Sequence, residues 1–440
     1  MSMLDRLKKS LATEQPEKPA SVKKKRSTGK INPEFYDFSK FPEYKTHETA
    51  NWYMEKEKYP DIQFRKRMAT SDATVNLEGT EYINYSTYNY LGLAGDPRVT
   101  QAAQDAIDTW GTSTGSGRSI TGEIDLHQQF EQEICEVLGT EDCVVSVGGY
   151  STNTFTIGYL CRPKDVIFYD ELIHNSALSG CQMTGARRFS FPHNDYDALD
   201  ALLAEHRGSY ERALVLVEGV YSMDGDIPNI PKLIEIKNRH KALLMVDEAH
   251  SMGIIGSKGM GVTDYFDIDG KDIDIIFGSM SKSFATCGGY VAGPKPLIEL
   301  LKYYAPGVLL YGAAPTPANT AAGLESLRIM RAEPERALRL QHNAAYFVQQ
   351  ANALGLDTYN SKDSGVVPIM APDSEVALWL SCRLFEQGIC AYPMLYPIVP
   401  RDKSRLRFFV NANHTKEQID KTVNLISENL AVAPKSKGVF

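Results

Sequence analysis

The segment IDIIFGSMSKSFATCGGYVAG runs an apolar stretch into a turn of small residues and delivers Lys282 beside Ser279 and Ser281, with Gly288 and Gly289 following. A lysine at a strand end in a crowded, glycine-rich site loses water, and burial lowers its pKa. The uncharged amine is then a nucleophile able to form a Schiff base with an aldehyde. Hydroxyls next to it suit phosphate oxygens. On spacing alone most such lysines are simply solvated, so this reading needs partners.

ALLMVDEAHSMGIIG places Asp247 and His250 just past a second apolar run. Pyridoxal phosphate (PLP) is an aldehyde cofactor that acts as an electron sink, strongest when its ring nitrogen is protonated. A buried carboxylate against that nitrogen keeps the proton on, and Asp247 fits this role. His250 can donate to the ring's phenolic oxygen. A rival reading of VDEAH, as the acidic strand end of a nucleotide-phosphate site, calls for a GxxxxGK[ST] loop, which the chain lacks. VSVGGYSTN follows a third run: Gly148 and Gly149 let backbone amides approach a phosphate at a helix start, with Tyr150 and Ser151 alongside. FYDELIHNS puts His174 where its ring can stack on the cofactor. A lone histidine after a strand is more often structural, so this assignment rests on the others. VEGVYSMDGDIPNI carries Ser222 within reach of the phenolic oxygen.

The elements that must position these groups are legible. CVVSVGG, DVIFYD, ALVLVEGV, ALLMVDEA and IDIIFGSM are short, rich in Val and Ile, and bounded by polar residues or glycine, as suits strands buried on both faces of a parallel sheet. VTQAAQDAIDTWG and DLHQQFEQEICEVLG have apolar residues at helical spacing and end in glycine. Strand–helix alternation predicts an α/β domain, with ligands at the carboxyl ends of the strands. Every residue singled out falls there. VNLEGTEYINYSTYNYLGL reads as a hairpin turning at Gly79. Beyond about residue 325 a long helical stretch, ANTAAGLESLRIMRAEPERALRLQHNAAYFVQQANALG, leads into short strands around GVVPIMA and RLRFFVNA. The expected plan is a basic tail or linker over 1–45, an arm and hairpin over 46–95, a large cofactor-binding domain over 96–325, a smaller α+β domain over 326–432 and frayed residues 433–440.

Taken together, these segments resemble the α-oxoamine synthase family of fold-type I PLP enzymes. The resemblance runs from about Thr46 to Leu430. It is carried by TYNYLGL (87–93), GSGRSITGEIDLHQQFE (115–131), GGY (148–150), the His174 segment, VEGVYSMDGD (217–226), VDEAHSMGIIG (246–256), SMSK (279–282), GGYVAG (288–293) and YPIVP…RLRFFVNANHT (396–415). It implies a mostly parallel sheet in a large domain with a smaller α+β C-terminal domain. It also implies a decarboxylative condensation of a small amino acid with an acyl thioester, giving an α-amino ketone. By this resemblance Lys282 carries the cofactor as a Schiff base, Asp247 pairs with the pyridinium, His174 stacks on the ring, and His250 and Ser222 lie near the phenolic oxygen. Gly149, Tyr150, Ser279 and Ser281 lie near the phosphate or the Schiff base. Arg407 matches the arginine that grips the substrate carboxylate, with Arg405 as the alternative two residues away; Asn89 is a further substrate contact. Three positions depart from the family pattern: Ser279 stands where threonine is common, HNS (174–176) replaces HAS, and Tyr311 and Gly312 occupy the place of a Ser or Thr that reaches a neighbouring subunit's phosphate.

The remaining composition limits the alternatives. With 440 residues, 43% hydrophobic and 23% charged, the chain is long enough for a large domain and a companion. A formal net charge of -8 argues against nucleic acid or an anionic membrane as the main partner. No run spans a bilayer and no secretory signal is evident, so a cytoplasmic protein is expected; the resemblance to fold-type I enzymes implies a homodimer, and no metal site is expected. Cys135, Cys143, Cys161, Cys181, Cys287, Cys382 and Cys390 show no paired spacing and read as reduced thiols. The cluster Lys23, Lys24, Lys25 and Arg26 sits in a polar segment that reads as a solvated tail or, more sharply, as a dock for an acidic carrier protein. The acyl donor is therefore a coenzyme A or carrier-protein thioester. Two rivals share much of this sequence logic: an aminotransferase or lyase of the same fold, and a non-catalytic partner subunit. The second would usually lack the lysine that is present at 282.

Overall fold

A computed structural model describes residues 31–396 and 398–436; the basic cluster at 23–26 lies outside them. The chain divides between Tyr59 and Pro60 into two compact units, a division that falls inside the segment 46–95 expected as one arm. In the first unit two short 3-10 turns, Pro33–Phe35 and Phe38–Lys40, precede a helix over Pro42–Lys56. That helix starts at Pro42, three residues inside the expected tail, with a proline in its first turn whose missing N–H costs nothing there.

The second unit opens with the expected hairpin. Strands β1 (Thr74–Leu77) and β2 (Thr80–Asn84) pair antiparallel around Glu78 and Gly79, both at positive φ as tight hairpins require. The central sheet has seven strands: β3 (Asp142–Ser146), β4 (Val166–Asp170), β5 (Arg187–Phe191), β6 (Ala213–Glu218), β7 (Leu243–Asp247), β8 (Ile275–Ser279) and β9 (Gly289–Gly293). Their order is β3-β9-β8-β7-β6-β4-β5, and β9 runs antiparallel between β8 and β3. The five predicted strands are all present; β5 and β9 were not foreseen, because RRFSF is polar at the sheet edge and GGYVAG is glycine-rich. Strands β6 and β8 are buried throughout, as parallel strands covered on both faces must be. The helices over Pro97–Trp110 and Asp125–Leu138 end as read from the sequence, at Gly111 and Gly139 with φ of 77° and 72°.

The long helical stretch after 317 proves to be two helices, Pro317–Ala332 and Glu335–Ala353, with Pro334 at the break. The first of them crosses the boundary expected at 325. A second sheet of three strands, in the order β10-β13-β12, contains β10 (Val366–Met370), β12 (Tyr392–Met394) and β13 (Arg405–Phe409); β11 (Ile389–Cys390) instead joins β2. Its apolar core, including Phe347, Leu380, Leu406, Phe408 and Ile426, is separate from the clusters lining the central sheet. Among the described residues no helix is long and apolar enough to cross a membrane.

Candidate active site

The carboxyl ends of the central strands bring the predicted groups together. Asp247 is the last residue of β7 and is buried. Its Oδ1 accepts the Ala249 N–H at 3.0 Å and its Oδ2 accepts Asn153 Nδ2–H at 2.8 Å. Burial pushes its pKa up to about 6, although Lys282 and these two hydrogen bonds favour the ionised form. Glu218, the last residue of β6, lies directly across the ladder from Asp247. Burial first, and the neighbouring Asp247 charge second, hold the Glu218 carboxyl well above the usual range. Its Oε2 accepts the Ser222 N–H at 3.1 Å, while its buried Oε1 has no partner.

Lys282 follows β8 in a loop closed by Met280 N–H to Gly288 O at 3.0 Å and Thr286 N–H to Met280 O at 3.1 Å. Among the described residues Nζ makes no hydrogen bond or ion pair; it lies 5.8 Å from the Tyr88 ring centroid. Burial lowers its pKa, a trend that Asp247 and Glu218 oppose and the Arg407 charge reinforces. His174 caps the helix Asn175–Met183, and its Nδ1 meets Ser176 Oγ at 2.8 Å. Desolvation, then the charges of Lys282 and Arg407, bring its pKa down to about 4, so the ring is neutral at pH 7. His250 is also neutral for the same reasons, and Tyr90 engages its Nδ1 at 2.9 Å, which leaves Nε2 for a ligand.

The two arginines of RLRFF separate clearly. Arg405 is spent on structure: it forms an ion pair with buried Asp224 and donates to Met223 O at 3.2 Å and Lys403 O at 2.9 Å. Arg407 donates Nη1–H to Ser222 O at 2.8 Å and stacks over Phe409 at 4.5 Å, while its buried Nε has no partner among the described residues. No carboxylate pairs with it among the described residues. Its charge acts at Lys282, His174 and His250, so it faces the same space. Both arginines grip the turn after β6, which carries Ser222. In that turn Gly225 has φ of +75°, and a Cβ there would meet Val366 O at 2.0 Å.

His193, which sequence reasoning passed over, pins the far side of this turn. Its Nδ1 meets Asp170 and its Nε2 meets Asp226, each at 2.9 Å. Burial opposes its charge, but hydrogen bonds to both carboxylates raise its pKa to about 10. A folded-state pKa above the unfolded value near 6.5 gives stability that is complete below about pH 6.5 and is lost as pH rises through about 10. Between pH 7 and 9.5 the protein therefore loses on the order of 3 kcal/mol through this group. Denaturant unfolding at the two pH values checks it. His193→Asn should be less stable at pH 7 and should lack this part of the slope; equal slopes in both proteins would contradict the assignment.

Not every expected contact is where it was placed. Asn89, read as a substrate contact, donates its amide N–H to Ser71 O at 3.0 Å and accepts the Ala94 N–H at 3.1 Å and so shapes its own turn; the ring of neighbouring Tyr88 lies 5.8 Å from Lys282 Nζ. The Tyr150 hydroxyl is held by Asn175 Oδ1 at 2.7 Å and Ser179 Oγ at 2.9 Å, so its side chain is committed elsewhere than to a phosphate. This also accounts for HNS in place of HAS, since Asn175 supplies the acceptor. Ser279 and Ser281 do lie together, Oγ to Oγ 2.8 Å.

These residues fit PLP. The helix Gly149–Leu160 starts without a side-chain cap, so its first N–H groups are available to a phosphate. A Cβ on Gly149 would meet Ser279 Oγ at 2.7 Å, so glycine keeps this cradle open. Arg407 Nε, without a partner among the described residues, is a donor for a carboxylate, and the Lys282 amine is a nucleophile for an aldehyde.

Comparison with known proteins agrees with this geometry. The family model "Aminotransferase class I and II" matches residues 80–426. An 8-amino-7-oxononanoate synthase from Symbiobacterium thermophilum is 39% identical over 347 residues, 79% of this chain and 88% of the relative. A serine palmitoyltransferase from Sphingobacterium spiritivorum is 35% identical over 360 residues, 82% and 89% of the two chains. The solved serine palmitoyltransferase from S. paucimobilis with bound PLP–myriocin superposes with a TM-score of 0.84 at 28% identity, covering 89% of this chain and 98% of that one.

Proposed function

The chain belongs to the aminotransferase class I and II family, in its α-oxoamine synthase branch, and from that premise we propose how its residues divide the work of a PLP-dependent enzyme. The reaction condenses a small amino acid with an acyl thioester, releases the thiol and carbon dioxide, and leaves an α-amino ketone. PLP, when bound, supplies the electron sink for the amino acid's Cα. Lys282 holds the cofactor's aldehyde and, once released, is the base at Cα: burial keeps a share of its amine uncharged, as proton abstraction requires. Asp247 keeps a negative charge at the ring nitrogen. With PLP bound, neutral His174 would offer a flat face to the ring, and His250 and Ser222 would supply hydrogen bonds to the phenolic oxygen. The uncapped helix start at Gly149 and Tyr150, with Ser279 and Ser281, holds the phosphate. Arg407 holds the substrate carboxylate and so turns one Cα bond toward the conjugated system.

The observation that carries this reading is the convergence of a desolvated lysine amine and a buried carboxylate after adjacent strands β8 and β7 with the guanidinium of Arg407 from β13, whose charge acts at that lysine. Incubating the enzyme with glycine, alanine or serine and either acyl-coenzyme A or an acyl-carrier protein should release thiol and carbon dioxide in equal amounts. Formation of a keto acid without thiol would make it an aminotransferase instead. We further propose a cytoplasmic homodimer, with residues 96–325 and 326–432 acting as larger and smaller lobes. Tyr311, 93% exposed at φ of +63°, supports a partner-facing loop; a monomer by light scattering would refute the dimer.

A further inference from the structure

Two residues outside the predicted set, Asn153 and Ser176, connect Asp247 to His174. Asn153 is fully buried one helical turn beyond Gly149, and its Nδ2 donates to two acceptors, Asp247 Oδ2 at 2.8 Å and Ser176 Oγ at 3.0 Å. The carboxylate can only accept, so the amide nitrogen must face it, and the orientation of Asn153 is determined. Asn153 Oδ1 is buried without a partner among the described residues, so the hydrogen bonds of this amide there come from its Nδ2 donors. The Ser176 backbone N–H donates to His174 Nδ1 at 3.2 Å, which makes that nitrogen an acceptor, so the Ser176 hydroxyl 2.8 Å away, itself accepting an Asn153 N–H, turns its proton toward it. With two donors aimed at it, Nδ1 has to be the unprotonated nitrogen, and the ring proton sits on Nε2.

We propose that Asn153 is a positioning residue that couples Asp247 to His174 through Ser176, fixing the carboxylate's orientation and the Nε2–H tautomer of the imidazole together. This rests on the PLP reading above. The directed chain Asp247–Asn153–Ser176–His174 means that one side chain sets both the ring-nitrogen partner and the stacking face. Asn153→Ala leaves a buried Asp247 oxygen without its donor and also frees Ser176. Ser176→Ala breaks only the branch to His174.

The test uses the holoenzyme and two readouts that do not depend on turnover: the dissociation constant for PLP, and the tautomer of His174 from side-chain nitrogen chemical shifts in histidine-labelled protein. Asn153→Ala should weaken PLP binding about 10- to 100-fold, as losing a buried hydrogen bond to a charged group does, and mix the His174 tautomers. Ser176→Ala should mix the tautomers with a PLP affinity loss of less than about 10-fold, the scale of one neutral hydrogen bond. Wild-type affinity and a single Nε2–H tautomer in Asn153→Ala would overturn the proposal, and so would an Nδ1–H tautomer in the unaltered protein. If Asn153→Ala does not fold, the tautomer in Ser176→Ala decides. A wild-type protein that never develops a Lys282-dependent visible absorbance with PLP defeats the underlying reading instead, so the two failures are distinguishable.

Discussion

Lys282→Ala abolishes turnover, by a factor of at least about 10⁴, and removes the visible absorbance that the wild type shows with PLP. The size of the effect follows from two jobs in one amine: it is both the covalent anchor for the aldehyde and the base at Cα. Neither job has a substitute nearby. His174 and His250 are neutral and engaged through Nδ1, and burial holds the Glu218 carboxyl's pKa well above the usual range. The Lys282 amine makes no hydrogen bond or ion pair among the described residues, so its loss should leave the melting temperature of the apoprotein unchanged. Absorbance spectra and steady-state rates on the purified variant read both outcomes; retained turnover would remove Lys282 from the mechanism.

Arg407→Ala and Arg405→Ala fail in opposite ways. Losing Arg407 removes the guanidinium that faces Lys282 and carries no carboxylate of its own. The amino acid's apparent dissociation constant, read from the spectral shift of the bound cofactor, should rise about 100-fold, as when a charge-assisted bidentate contact is lost. Stability should change little. Losing Arg405 strands Asp224, whose carboxyl is buried and already pushed up by desolvation against that arginine's pull. Breaking such a pair costs about 3–5 kcal/mol, so this variant should unfold at lower denaturant concentration. A binding defect in Arg405→Ala with stability intact would reverse the assignment.

The choice between these arginines shows where sequence reading stops. Strand alternation says that Arg405 and Arg407 point to the same face, and nothing in RLRFF says which has a partner. The partner of Arg405 is Asp224, 181 residues earlier, and only the fold brings them together. What the sequence does carry well is whatever depends on local pattern. The five apolar runs became five strands, and the rule that ligands gather at strand ends pointed to Asp247, Ser279 and Lys282, which lie at or just after the ends of β7 and β8. The same rule would have found Glu218, which ends β6 inside a motif already singled out for Ser222. Asn153 was one helical turn past Gly149 and readable as sharing its face. Its role, however, depends on Ser176 and Asp247 in other elements. Asn89 shows a related physical limit: a family motif names a position, but whether an amide there faces the substrate or closes a turn depends on which backbone groups need partners.

The central claim is that the ε-amine of Lys282 is the atom joined to PLP. Borohydride reduction of the PLP-loaded protein, followed by digestion and mass spectrometry, tests it most directly. The expected result is a single stable phosphopyridoxyl adduct on the peptide containing Lys282. An adduct on any other lysine, with Lys282 recovered unmodified, would contradict it.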